Sequence, residues 1–348
     1  MVYPHRGGGF PFNEKKNRTM FFTASSWNID EVSKIIPVSS ALSFEKVQSS
    51  LLSVDDLFLM PVLGDEMMTV AQGIFERDEQ QRSDLEKTIL RQLQVATLNL
   101  AFWYDFQELN LRITDQGFQR QTTDNFTSAY KYQEDALKRG FRNKGLNALD
   151  SILEILEQHT GDFPKYTHSP AYTDMRKRVV QKAKEVNDVC YIHNSQLIFR
   201  RLIPILKELE DTNLPIILGS KLNDQLKKAI LENRTSEQVG DTTYEELRLR
   251  CVAYLSLKAC AQLVRQTGSL TDRGLYFISV ASSGENNEVR EPADGEAAVR
   301  LASTMEQSAA AYSASLTSFI EYYIPDLFTG HDADVLKRDN DHKRTFWA

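Results

Sequence analysis

Apolar residues recur every three or four positions through most of the chain, the spacing that puts them on one face of an α-helix. Leu85, Ile89, Leu93, Ala96, Leu100 and Trp103 predict one long helix over 84–106. Leu249, Val252, Leu255, Ala259 and Leu263 predict a second over 245–264. Tyr130, Leu137, Phe141, Leu149, Ile152, Leu153 and Leu156 predict a third over 126–158, in which Gly140 and Gly145 are expected to mark a kink or break. A fourth is expected over 173–190, with Arg176, Lys177, Lys182 and Lys184 turned outward, and a fifth over 295–323.

Two segments depart from this period. Leu111–Thr114 and Phe118–Gln121 flank Asp115-Gln116-Gly117, a pattern that suits a tight β-hairpin with glycine supplying positive φ. Leu275–Val280 follows Thr271-Asp272-Arg273-Gly274 in the same way. The residues that mark these turns are Thr114, Asp115 and Gly117 in one half and Thr271, Asp272 and Gly274 in the other. In each, Asp closes an Asx-turn and Gly takes the left-handed position, so turn chemistry explains the pattern without catalysis.

The two halves match each other. At a shift of 155, Ser40, Leu42, Phe44, Leu51, Leu63 and Gly64 meet Ser195, Leu197, Phe199, Leu206, Leu218 and Gly219. At a shift of 157, Leu90, Arg91, Val95, Ala96, Leu98 and Leu100 meet Leu247, Arg248, Val252, Ala253, Leu255 and Leu257, and the two Thr-Asp-x-Gly segments coincide. Ordinary composition gives roughly two chance matches in such a window. At 167, Leu149, Ser151 and Glu154 meet Leu316, Ser318 and Glu321. The extra residues fall in 282–294, which reads as a polar loop. Amphipathic helices resemble one another, but that does not produce the Leu-Gly and Thr-Asp-x-Gly matches in register. The expectation is an all-α fold of two tandem duplicated helical-bundle units, each with a small β-hairpin insertion. Unit one covers 21–160 and unit two 172–325. A Pro-bearing linker spans 161–171, and extended arms cover 1–20 and 326–348.

Composition narrows the class of protein. The 348 residues carry a net charge of −7, with 41% hydrophobic and 26% charged residues, a soluble globular balance that is not built to coat nucleic acid. No uninterrupted apolar run of ~18 residues predicts a membrane span, and the basic start lacks the apolar core of a signal peptide. Three cysteines make no disulfide framework.

Candidate chemistry is sparse. Cys251 and Cys260 fall on opposite faces of one helix, and Cys190 with His193 has no further ligand nearby in sequence, so this pair reads as core packing. None of the six histidines has Glu three positions earlier, as a di-iron bundle requires. Asp55-Asp56 is followed by Leu59 where a metal-binding Asp-Asp-x-x-Asp helix needs a carboxylate, and a helix N-cap is the expected role. No phosphate loop or nucleophile elbow is present. The expectation is no catalytic residue, no cofactor and no metal. The 326–348 tail sets Phe328, Phe346 and Trp347 among Lys337, Arg338, Lys343 and Arg344. Aromatics and arginine are the usual interface anchors, which makes Phe328, Arg344, Phe346 and Trp347 candidate anchors; a frayed, solvated tail is the alternative.

The duplicated unit, the Thr-Asp-x-Gly hairpins, the loop before the last helix and the opening Met20-Phe21-Phe22-Thr23 resemble a particular group. It is the helical head–tail connector (adaptor, neck-ring) proteins of tailed phages of Bacteroidetes, crAss-like phages included. The resemblance covers about 20–325, while the N-terminal extension and the tail depart from it. It implies a non-enzymatic virion protein, a ring subunit (dodecameric by that likeness) in the neck between portal and tail, assembled in the host cytoplasm. Its expected partners are further copies of itself, the portal protein, other neck or tail proteins, and DNA passing without specific binding. The competing expectations are a transient assembly or scaffold protein, and a helical ligand-binding protein or enzyme without a recognisable motif.

Overall fold

A computed structural model of the chain describes residues 21–38, 42–114, 117–120, 131–267, 276–280, 288–292 and 295–327. The chain is mostly helical and divides between Thr167 and His168 into two compact units. Phe328, Arg344, Phe346 and Trp347, and the turn residues Asp115, Thr271, Asp272 and Gly274, lie outside the described residues.

The first unit holds α1 (Ile29–Ser33), α2 (Phe44–Val54), α3 (Met60–Leu63), α4 (Asp65–Glu76), α5 (Asp84–Tyr104), α6 (Phe106–Asn110), a hairpin of β1 (Leu111–Thr114) and β2 (Gly117–Arg120), α7 (Lys131–Gln158) and α8 (Pro164–Thr167). Ser83 and Glu86 close a capping box at the start of α5: the Glu86 N–H donates to Ser83 Oγ at 3.2 Å and the Ser83 N–H to Glu86 Oε2 at 2.9 Å. The most extensive packing is α5 against α7. Gly145 lies at that contact, where a Cβ would stand 2.6 Å from the Leu100 side chain. The expected kink at Gly140 and Gly145 is therefore corrected: α7 runs unbroken, and Gly145 permits close approach of two helices. In the hairpin Leu111 pairs with Arg120 and Thr114 with Gly117.

Asp55 and Asp56 are also corrected. They begin a π-helical turn (Asp55–Leu59) that joins α2 to α3 without a break, so they cap no helix N-terminus. Asp55 is buried.

The second unit holds α9 (Pro170–Arg176), α10 (Ala183–Asn187), α11 (Gln196–Thr212), α12 (Leu214–Leu218), α13 (Ser220–Leu231), β3 (Gln238–Val239), β4 (Thr242–Thr243), α14 (Tyr244–Thr267), β5 (Tyr276–Val280), β6 (Glu288–Pro292) and α15 (Gly295–Tyr323). The single helix expected over 173–190 is two short ones. Between them Val179 and Val180 are buried, and Val179 gives its backbone N–H and C=O to buried side chains rather than to a helix. The 282–294 segment is not loop throughout, because Glu288–Pro292 pairs antiparallel with Tyr276–Val280. Tyr276–Val280 thus pairs forward with a later strand. Short helices also occupy both ends of the expected linker, and Phe163 and Tyr166 are buried there.

Burial follows the sequence offsets. At a shift of 155, Phe44, Leu51, Leu59, Met67 and Ala71 are buried, as are Phe199, Leu206, Leu214, Leu222 and Leu226. The buried acids Asp55 and Glu210 stand at the same shift. Gly64 has φ 80° and ψ 159°, and Gly219 has φ 75° and ψ 153°, a region essentially closed to other residues. Each sits between a short Pro-bearing helix and a helix of 12 residues, α4 or α13.

Candidate interaction groove

Two features of the second unit bring polar groups together, one buried and one open. The buried one surrounds Val179. Its N–H donates to Glu210 Oε2 at 3.0 Å, and Arg248 Nη1 donates to its carbonyl at 2.8 Å. Arg248 also forks onto Glu245, with Nε–Oε2 3.0 Å and Nη2–Oε1 2.7 Å, and reaches Glu185 Oε1 at 2.9 Å. Burial alone would lower the Arg248 pKa; the Glu245 hydrogen bonds and the Glu185 charge outweigh it and hold the guanidinium more firmly protonated than usual. Burial pushes Glu210 above the ordinary carboxylate range, against the opposing Val179 N–H and the Arg178 charge. The network ties α10, α11 and α14 to the bend between α9 and α10, which is a structural role.

Cys251 is buried close by, and burial together with the Glu210 charge pushes its thiol up to about 12. Cys190 and Cys260 are free and buried. A hydrogen bond with Cys190, together with burial, holds the Cys260 thiol well above its usual range, so neither Cys251 nor Cys260 is an activated nucleophile. Among the described residues no group of three or more His, Cys, Asp or Glu could hold a metal ion.

The open feature is a groove of about 550 Å³ between α14 and α15. Glu246, Leu249, Arg250 and Ala253 follow the i, i+3, i+4, i+7 spacing and form one wall. Tyr312, Leu316, Phe319 and Tyr323 form the other. Leu249 is 48% exposed and Tyr312 45%, so each wall of the groove carries an exposed large apolar side chain. Arg250 lays its guanidinium over the Phe319 ring at 4.0 Å.

The β3–β4 hairpin builds the acidic end of the groove. Val239 pairs with Thr242 across Gly240-Asp241, and Gly240 has φ 61°. A Cβ on Gly240 would fall 2.1 Å from the Tyr323 carbonyl, so only glycine lets the turn close onto the end of α15. The Asp241 N–H donates to that carbonyl at 2.8 Å. The clamp holds the Asp241 carboxylate at the groove mouth beside Glu246, which accepts a hydrogen bond from the Thr242 hydroxyl. Among the described residues neither carboxylate has a basic partner within salt-bridge distance.

Sequence periodicity marks Leu249 and Leu316 as members of helical faces and gives no sign that the two faces share an opening. Gly240-Asp241 between Val239 and Thr242 is a recognisable two-residue hairpin signal, and it leads directly to the clamp. Of the turn residues expected from sequence, Thr114 and Gly117 are brought together as a cross-strand pair.

The molecule is thus a mostly helical chain of two units, the second of which presents a groove of apolar and polar side chains with an acidic mouth. No helix among the described residues is long and apolar enough to cross a membrane. Residues 59–176 match the model of a family of unknown function (DUF6712), a stretch that runs from the end of the π-helical turn to α9 and stops short of the groove. No curated protein and no solved structure matches the chain.

Proposed function

We propose that this chain is a structural assembly subunit, a head–tail connector that forms a ring in the neck of a tailed phage particle, joins portal to tail and lines part of the DNA conduit. The observation that carries the reading is the in-register repetition of buried positions and of the Gly64 and Gly219 corners. It supports an internal duplication, with a hairpin before the last long helix of each unit, which is the architecture on which the resemblance rests. Exposed apolar side chains in both units, among them Leu57 and Tyr104 in the first and Leu249, Tyr312 and Tyr322 in the second, supply surface for contacts with other chains.

A closed ring repeats one heterologous interface, so each subunit offers two different surfaces to its neighbours. A stable contact of this kind buries more than roughly 1,000 Å² per pair. Phe328, Arg344, Phe346 and Trp347 are the proposed anchors to the portal or the next ring. A net charge of −7 repeated around a ring repels DNA from the lumen wall and lets it pass. The test is mass. The purified chain, alone or with portal, is expected to form rings visible by electron microscopy, and purified particles are expected to retain it at a ring-like copy number. Its absence from purified virions would overturn the reading, and presence only in immature particles would identify a scaffold.

A further inference from the structure

We propose that the groove between α14 and α15 is the docking site of the chain's own C-terminal segment, Lys343 to Trp347. The groove has an acidic mouth, apolar side chains on both walls and a stacked arginine between them. The segment is its complement: Lys343 and Arg344 face the uncompensated Asp241 and Glu246, and Phe346 and Trp347 follow at a distance that suits the apolar floor. Four residues of extended chain span ~13 Å. The wall from Glu246 to Ala253 rises ~10 Å along a helix. An aromatic ring at 346 or 347 also finds the free face of the Arg250 guanidinium, whose other face is taken by Phe319.

The tether favours the chain's own segment over a second copy's. The described chain ends at Leu327, four positions beyond Tyr323 in the groove wall. Residues 328–342 separate Leu327 from Lys343, and a flexible tether of that length would reach ~20 Å, enough to span the ~10 Å wall. At that length the effective concentration of the segment is about millimolar, above the micromolar concentrations at which separate chains meet. In the connector reading the docked segment would keep the anchors Phe346 and Trp347 covered until a partner competes for them. The docking itself does not depend on that reading.

The test uses the full chain with Leu249→Cys as a reporter, because Leu249 is exposed and the native cysteines are buried. Docking is expected to slow maleimide labelling of the reporter about tenfold relative to the same chain carrying Phe346→Ser and Trp347→Ser, for a segment that binds with a Kd of ~100 μM at millimolar effective concentration. Asp241→Lys with Glu246→Lys is expected to speed labelling, and Lys343→Glu with Arg344→Glu added to that chain to slow it again. Unchanged helical circular dichroism accompanies each variant, since every substituted position lies on the surface or in the tail. Equal labelling rates with and without Phe346 and Trp347 would overturn the proposal. So would protection of a tail-substituted reporter chain by an intact tail supplied on a co-refolded second chain, which would make the occupant another copy. Neither result bears on whether the chain is found in virions, so failure here and failure of the connector reading are distinguishable.

Discussion

Val179 illustrates how single residues are held in this molecule. It lies in a buried bend between α9 and α10, and charged side chains from two helices take both its backbone groups. A buried peptide group left unpaired costs about 1–3 kcal/mol, and a buried charge costs more. Arg248→Met would leave Glu185 and the Val179 carbonyl without their partner, so a loss of about 3 kcal/mol or more is expected in chemical denaturation. Glu210 works in the opposite sense with pH. Its folded pKa lies above the ordinary 4.5, so the folded state binds the proton more tightly than the unfolded one. The group therefore costs nothing below the unfolded value, and its cost grows as pH rises through the interval up to the folded value. Glu210→Gln still accepts the Val179 N–H and does not titrate. Wild type is expected to lose stability relative to this variant as pH rises above 4.5, which parallel melts across the acid range would reveal; parallel curves would sink the assignment.

At the scale of elements, two glycines carry similar physical roles by different means. Gly219 has open space around it and φ 75°, so a side chain there is strained by backbone conformation alone. Gly219→Val is expected to lower stability by about 1 kcal/mol or more, with a matching effect for Gly64→Val. Gly145 sits in a helix with ordinary dihedrals and is constrained by its neighbour Leu100. Gly145→Val is expected to destabilise by about 1–3 kcal/mol through overpacking of α5 on α7, with partial recovery when Leu100 is reduced to Ala. Failure of Leu100→Ala to recover any stability would show that the Gly145 contact does not limit the helix pair.

The elements also show what periodicity can and cannot resolve. Long helices with a sustained apolar stripe, α5, α14 and α15, were legible because buried apolar positions recur at helical spacing along each. The stretch 173–190 was not. Its apolar spacing fits a helix, but the backbone of Val179 finds better partners in Glu210 and Arg248, which lie 31 and 69 positions away. The 282–294 segment was misread for the same reason, since a strand as polar as Glu288–Pro292 is recognised only through its partner.

For the whole molecule, the tail gives the clearest prediction. Leu327 packs against the core of the second unit, so the helical fold is expected to tolerate removal of residues 328–348 but not a longer cut. Circular dichroism and the melting temperature of that variant are expected to match the intact chain within a few degrees. In particles, the connector reading expects heads without tails. Complete infectious particles from the truncated protein would remove the anchoring role from Phe328, Arg344, Phe346 and Trp347.

The chain's own pattern determined its helical class and the position of its long helices, because burial of a helix face is a local, periodic demand. Tertiary structure decided everything that depends on groups distant in sequence. It brought Cys190 to Cys260, wrapped Val179 in charges from two helices, and closed the Gly240 turn on the end of α15. The groove itself belongs to this second kind. Leu249 and Tyr312 each complete an ordinary helical stripe, and only the way α14 and α15 meet leaves the two stripes facing a common opening.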